Sequence, residues 1–445
     1  MRALVLPIAV ALTPATGIAA EPASNPPNIL ILLADDLGTD KVAAYREHPD
    51  PPATPNLDAL AAQGVLFRNA YGYSVCSPTR AALMTGRYGR RNGLGAIIDW
   101  GDTWELPLDE VTLPEMLDAG PDDWGTVAVG KWHLSAPKTP SGIRHPQLQG
   151  FDHYSGSIHN LYFDTQQEKS NYFAYDKVVD GVAKRVAEYA THATTTDALA
   201  AMAKLREPWL IYVAYNAAHT PFHVPPGSSL GTNATAAQKY DAMVEDLDAE
   251  IGRLLTEMPP ATRANTLVLF LGDNGTPGEA VLAPRSGDQA KKTLYEGGTN
   301  IPLIVAGPGV AHGGESAALV HAVDVLPTLA ELSGVPATPT GLPLDGTSFA
   351  AALADPHQPV ARRFVFTERL SEAGPPPYRS DLRSVRDDRY KLANYGDGWK
   401  LYDLQGRFDD GPGRDPATLG PEEKARYLAL QAELERLERE VRFAY

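Results

Sequence analysis

Five short apolar runs, rich in Ile, Leu and Val and free of polar alternation, punctuate the chain. They are Asn28-Ile29-Leu30-Ile31-Leu32-Leu33, Thr126-Val127-Ala128-Val129, Trp209-Leu210-Ile211-Tyr212-Val213, Thr266-Leu267-Val268-Leu269-Phe270-Leu271, and residues 301–305. Such runs predict strands buried on both faces, and so a mostly parallel sheet flanked by helices. Helical periodicity falls between them, at residues 56–63, 80–85 and 236–257. Toward the C-terminus the pattern changes. Residues 364–366, 382–392 and 399–404 predict strands of a small antiparallel sheet. From Pro421 a helix is expected, with Tyr427, Leu430, Leu434, Leu437 and Val441 spaced alternately by three and four. That stripe suits either a coiled-coil seam or a helix packed on its own domain, and so few heptads favour the second. The expected fold class is therefore α/β: a large, mostly parallel central sheet flanked by helices, with a smaller C-terminal antiparallel-sheet-plus-helix subdomain. Residues 1–20 read as a leader, 21–355 as the main α/β domain and 356–445 as the C-terminal subdomain.

The leader reading comes from Arg2, a mostly apolar stretch over residues 3–12, and Ala19-Ala20 before Glu21, the pattern of a cleaved secretory signal. Pro7 and Pro14 interrupt the run, and it falls short of the roughly 20 apolar residues that a membrane span needs. An exported protein, periplasmic or secreted and with no membrane span, is expected. A formal net charge of −16 disfavours nucleic acid and anionic membranes as partners. If the substrate is an anion, its site must supply local cations. The 445 residues contain one cysteine, Cys76, so no disulfide framework holds the chain and this thiol has no intramolecular partner.

The residues that follow the strands carry the chemistry. Asp35 and Asp36 follow the first run, Lys131 and His133 the second, His219 the third, and Asp273 and Asn274 the fourth. In open α/β sheets ligands bind beyond the carboxyl ends of the strands, so these segments predict one composite site. Asp35, Asp36, Asp273 and Asn274 are hard oxygen donors, the set that suits Ca²⁺ or Mg²⁺. Arg80, Lys131 and Lys291 or Lys292 are candidate anion holders, and His133 and His219 candidate acid/base groups. Together they read as metal-assisted hydrolysis of a charged ester.

Cys76-Ser77-Pro78-Thr79-Arg80, continuing through Leu83-Met84-Thr85-Gly86-Arg87, resembles the first signature of the formylglycine-dependent sulfatases. The segment from Gly125 through Gly130-Lys131-Trp132-His133-Leu134 resembles the second. His219-Thr220-Pro221, Tyr295-Glu296-Gly297-Gly298, Leu344-Asp345-Gly346-Thr347 and Leu401-Tyr402-Asp403-Leu404 continue the likeness in order, over roughly residues 28–404. The resemblance implies that a maturation enzyme oxidises Cys76 to formylglycine, whose hydrated aldehyde is the nucleophile. It implies a divalent cation, most often calcium, on Asp35, Asp36, Asp273 and Asn274, with Asp273 placed to take a proton from the nucleophilic hydroxyl. Arg80 would steady the formylglycine, Lys131 and Lys291 bind sulfate oxygens, His219 protonate the leaving alcohol, and His133 help expel sulfate. The implied substrate is a small or oligomeric sulfate ester, aryl or carbohydrate.

Three positions strain the likeness. Lys291 sits four residues before Tyr295, so spacing favours it over Lys292. Asn300 stands where many relatives carry arginine, and Ser135 where glycine is frequent. Residues 155–181, with His159 and Tyr162, form an insertion that either shapes the pocket or is a surface excursion. Two other functions fit the sequence: a phosphonate or phosphate ester hydrolase of the same superfamily, and a non-catalytic protein that binds sulfated ligands.

Overall fold

The computed structural model describes residues 26–445 apart from 162, 166, 167, 232, 339, 340 and 397. The expected leader and Tyr162 thus lie outside the described residues. In chain order the first strands are β1 (Asn28–Ala34), β2 (Val65–Tyr71), β3 (Gly125–Lys131) and β4 (His153–Ser157). A two-stranded ribbon of β5 (Phe163–Thr165) and β6 (Glu168–Ser170) precedes β7 (Tyr175–Val179) and β8 (Val182–Val186). Next come β9 (Trp209–Ala214), β10 (Thr266–Gly272), β11 (Leu303–Ala306) and β12 (Gly314–His321). The C-terminal strands are β13 (Val365–Leu370), β14 (Asp381–Arg386), β15 (Tyr390–Asn394) and β16 (Trp399–Asp403).

Ten strands make one sheet in the order β12-β2-β11-β10-β1-β9-β3-β4-β7-β8. Its centre, from β10 to β4, is parallel throughout. Here the apolar runs lie: every residue of β1, β9 and β10 is buried. Layers of apolar side chains cover both faces. Ile29, Ile31 and Leu33 enter one core cluster, and Leu30, Leu32 and Ala34 enter the other. The alternation of side chains along a strand accounts for this division. The helix Ala236–Glu257 closes one face through Tyr240, Met243, Val244, Leu247, Ile251 and Leu254. Of the five expected runs, one departs from the parallel expectation, and at the far edge β7 also pairs antiparallel with β4. β11 is fully buried yet runs antiparallel to both β10 and β2. An apolar run reports burial on two faces; direction is set by the connection, and residues 273–302 lead back across the strand ends.

The C-terminal strands form an antiparallel sheet in the order β13-β14-β15-β16. The stretch over residues 382–392 is a hairpin, β14 and β15, rather than one strand. The helix Pro421–Glu440 lays Leu430, Leu434 and Leu437 on this sheet against Phe366, Val385, Tyr390, Leu392 and Leu401. The apolar stripe is thus used within its own chain. The same cluster takes in Tyr73, Ala82 and Tyr88, so the sheet is anchored to the helix that begins at Cys76.

Leu430 is fully buried in that cluster. Leu430→Ala is expected to lower unfolding free energy by about 2–5 kcal/mol. Denaturant melts should give the same loss across a range of protein concentrations, since the contact is intrachain. A loss that grows on dilution would instead place the stripe between two molecules.

Candidate active site

The loops that follow the parallel strands are laced together beyond the sheet. Asp35 N–H donates to Ala217 O at 2.9 Å, Ala218 N–H to Asp35 O at 2.7 Å, and Asp273 N–H to Ala34 O at 3.0 Å. The carboxyl ends of β1, β9 and β10 therefore share one backbone network. Asp36 (φ 63°), His133 (φ 62°) and Lys292 (φ 73°) hold left-handed backbone. That conformation is uncommon for residues other than glycine and gathers where structure around a site enforces it.

Cys76 is the first residue of the helix Cys76–Thr85, which is buried along its whole length. Pro78 fits in the first turn, where backbone N–H groups have no intrahelical partner. Four residues on, Arg80 emerges on the same face as Cys76. Its Nε and Nη2 both donate to Asp273 Oδ2, at 3.0 and 2.8 Å, and Nη1 donates to Lys131 O at 2.8 Å. A fully buried guanidinium is tolerable only with such partners.

Three carboxylates and three cations meet around Cys76. Its thiol donates to Asp35 Oδ1 at 3.3 Å, and its sulfur lies 3.8 Å from Lys291 Nζ. Lys131 is ion-paired with Asp35, and Lys291 with Asp36. Asp36 also accepts from Asn274 Nδ2 at 2.9 Å, and its N–H donates to Asp273 Oδ1 at 3.0 Å. His219 Nε2 is 3.9 Å from Asp36 Oδ2, while its Nδ1–H donates to Thr220 O at 2.7 Å. Of the two adjacent lysines, Lys291 reaches the cluster; Lys292 is exposed on the wall of the cavity above it.

The charges perturb one another. Burial raises Asp36, but Lys291, His219 and Lys131 outweigh it and hold the carboxyl well below its usual range. Burial lifts Asp273 to about 6, with Asp35 adding to the rise and Arg80 opposing it. The Cys76 thiol is pushed far up by burial and then by Asp273 and Asp35, so as a thiol it is a poor nucleophile here. Burial draws His219 down to about 3 against the pull of Asp36, with Lys291 and Lys131 adding to the fall.

Asp35, Asp36 and Asp273 offer oxygen donors, and Asn274 Oδ1 is a buried acceptor with no hydrogen-bond partner among the described residues. An orphaned buried acceptor costs about 1–3 kcal/mol unless something satisfies it. Crowded carboxylates beside that oxygen fit a hard divalent cation, Ca²⁺ or Mg²⁺.

His133 stands at the edge of the cluster. Its Nε2 contacts Ile98 O at 3.0 Å, and its Nδ1 is buried without a partner among the described residues. His159 packs edge-on against it, ring centroids 4.5 Å apart, with its Nε2 2.9 Å from the same carbonyl oxygen. Part of the insertion over residues 155–181 therefore lies at the site, and Asn160 lines the cavity. Sequence reasoning placed His159 only in that insertion, and it did not place Arg369 and Leu370 of β13 at the cavity mouth. No local motif marks them. Asn300 lies behind the cluster, where Arg285 Nη2 donates to its Oδ1 at 3.4 Å, so a guanidinium from another segment occupies that neighbourhood. Ser135 Oγ donates to Gly142 O at 3.0 Å, away from these contacts.

The comparisons with known proteins agree with one another. The family model described as Sulfatase matches residues 27–335, and that described as N-sulphoglucosamine sulphohydrolase, C-terminal, matches residues 287–436. Arylsulfatase G of Rattus norvegicus is 29% identical, covering 87% of this chain and 79% of that protein. N-acetylgalactosamine-6-sulfatase of Homo sapiens is 32% identical, covering 76% of this chain and 67% of that protein. The crystal structure of Ps i-CgsB in complex with k-i-k-neocarrahexaose has a TM-score of 0.75 and 25% identity, covering 95% of each chain. On these grounds the chain belongs to the sulfatase family and is a sulfuric ester hydrolase.

Proposed function

We propose that the protein is an exported sulfatase that cleaves carbohydrate or aryl sulfate monoesters through a formylglycine made from Cys76, with a divalent metal beside it. The observation that carries this reading is the surroundings of Cys76: a buried residue at a helix start, 3.3 Å from Asp35 and 3.8 Å from Lys291. A thiol with its pKa pushed up among carboxylates is chemically idle, whereas a hydrated aldehyde there has two hydroxyls with separate uses. Export rests on the leader pattern in residues 1–20. The carbohydrate reading draws on the names of the N-acetylgalactosamine-6-sulfatase and neocarrahexaose-bound relatives.

A divalent cation held by Asp35, Asp36, Asp273 and Asn274 would polarise the ester and favour the ionised form of the nucleophilic hydroxyl. The chain's own groups divide the remaining work. Asp273 is the carboxylate assigned to accept a proton from that hydroxyl. Lys131 and Lys291 hold the sulfate oxygens, and Arg80 braces the helix start through Asp273 and the Lys131 carbonyl. His219, fixed by its Nδ1–H bond to Thr220, presents Nε2 to the leaving oxygen. The anionic ester beside it opposes the burial that lowers its pKa, favouring the protonated form that can donate. His133, with Nδ1 unengaged, takes the proton from the second hydroxyl so that sulfate leaves and the aldehyde returns. Splitting one displacement into two steps lowers each barrier.

Protein from its native host should carry an aldehyde in place of the thiol at position 76, seen by mass spectrometry of the spanning peptide. The same preparation should turn over an aryl sulfate with higher kcat/KM than the matched aryl phosphonate. Cys76→Ala should lose about four orders of magnitude or more in kcat. An intact thiol in active protein would refute the mechanism, a preference for phosphonate would assign the other ester class, and no turnover at all would favour the binding-protein reading.

Calcium at a hundred times its dissociation constant should raise unfolding free energy by about 2.7 kcal/mol. Asp36→Asn should abolish that increase in thermal melts. His219→Gln should cost about 10²- to 10⁴-fold in kcat on a sugar sulfate, but much less on a sulfate of an acidic phenol, whose oxygen leaves without protonation. Equal losses on both would remove His219 from the role of acid.

A further inference from the structure

The cavity above the reactive cluster has a volume of about 740 Å³, within the range that encloses a whole ligand rather than one sulfate group. Asp36, His219 and Lys291 form its floor, and Lys292 and Arg369 stand on its wall. The reaction uses neither wall cation.

Arg369 on β13 is half-buried, and its Nη1 donates to the carbonyl of Lys292. Among the described residues no carboxylate lies within ion-pair reach of it, and burial alone pulls its pKa down. Neighbouring arginines are handled differently. Arg90 meets Glu368 at 2.9 Å and Asp381 at 2.6 Å, and Arg389 meets Asp403 at 2.7 Å. Arg386 reaches Glu296 at 3.3 Å. In a chain with a net charge of −16, counter-ions are plentiful, and this arginine beside the cavity is left without one. Lys292 adds a second charge. Its left-handed backbone (φ 73°) separates it from Lys291, so that one lysine joins the floor and the next lines the wall. Glu279 also lines the wall, but it is exposed and forms no ion pair with either cation among the described residues. A desolvated guanidinium whose partner is a carbonyl keeps further N–H donors for an arriving anion.

We propose that Arg369 and Lys292 form a second anion subsite, which selects sulfated saccharides carrying another sulfate or a carboxylate near the ester that is cleaved. The proposal rests on the sulfatase reading of the floor and deepens it: the preferred substrate is a polyanionic saccharide rather than a simple aryl sulfate.

Binding to the Cys76→Ala protein, measured by calorimetry, tests this without turnover. The ligands are an amino-sugar disaccharide with one O-sulfate, the same with a second sulfate on the neighbouring ring, and the same with a carboxylate there. At least one doubly anionic ligand should bind about 10- to 100-fold tighter than the first, the scale of charge-assisted hydrogen bonds. The tighter of the two identifies the second anion. Arg369→Gln in the same background should remove most of that ratio, and Arg369→Lys should keep part of it. Lys292→Gln, at an exposed position, should also reduce the ratio and serves if the Arg369 variants fold poorly. Equal affinities for all three ligands, or a ratio that survives both glutamine variants, would overturn the subsite. If the ratio behaves as expected while mature protein hydrolyses no sulfate ester, the subsite stands and the hydrolase reading falls.

Discussion

Three buried ion pairs organise the molecule: Arg80 with Asp273, Lys131 with Asp35, and Lys291 with Asp36. Each charge taken alone into a dry interior costs several kcal/mol, and the cost is recovered only through close partners and further hydrogen bonds. This constraint fixes where the chain can place them. They sit at the carboxyl ends of parallel strands, where backbone groups beyond the sheet bond one strand's loop to the next. The apolar centre of the sheet supplies the stability that lets such a cluster exist. The price of the cluster is then local strain, visible in the left-handed Asp36, His133 and Lys292.

The same constraint explains why the sequence was readable. Strands buried on both faces leave continuous apolar runs, so β1, β3, β9 and β10 stood out and the residues after each could be gathered at one rim. Arg80 was legible through the Cys76-Ser77-Pro78-Thr79-Arg80 string, and the helix Cys76–Thr85 sets it one turn from Cys76. Other parts left no such trace. β11 has the same apolar composition as its parallel neighbours but enters from the opposite end, and nothing in Leu303-Ile304-Val305-Ala306 records direction. β8 is largely exposed and β7 alternates, so neither produces an apolar run. Arg369 and His159 reach the site by tertiary packing from distant segments, and their local sequence carries no mark of it.

The proposed reaction and recognition sites come from different layers of the fold. The floor is built by the ends of the large sheet, where each buried charge depends on a close partner. One wall comes from β13 and the loop after β10, where Arg369 and Lys292 have no counter-charge among the described residues. Residues of the first kind are held by mutual dependence: replacing Asp36 alone would strand Lys291 and leave Asn274 Nδ2 with only one of its two acceptors, the Gly275 carbonyl. Those of the second kind can change singly.

Function in such a fold lives in a site carried on a scaffold, and here the site itself divides. The C-terminal sheet is joined to the helix of Cys76 through Tyr73, Ala82 and Tyr88 in one apolar cluster. Arg90, just beyond that helix, is tied to Glu368, the residue before Arg369. The β13 side of the wall is therefore positioned against Cys76 by packing and by a partly buried ion pair, and Arg369 itself meets the backbone of Lys292. If the proposed anion subsite holds, an arrangement of this kind would let the preference for neighbouring anions alter while the floor stays as it is. It would also place selectivity in a part of the chain that the signature motifs around Cys76 and Lys131 do not reach.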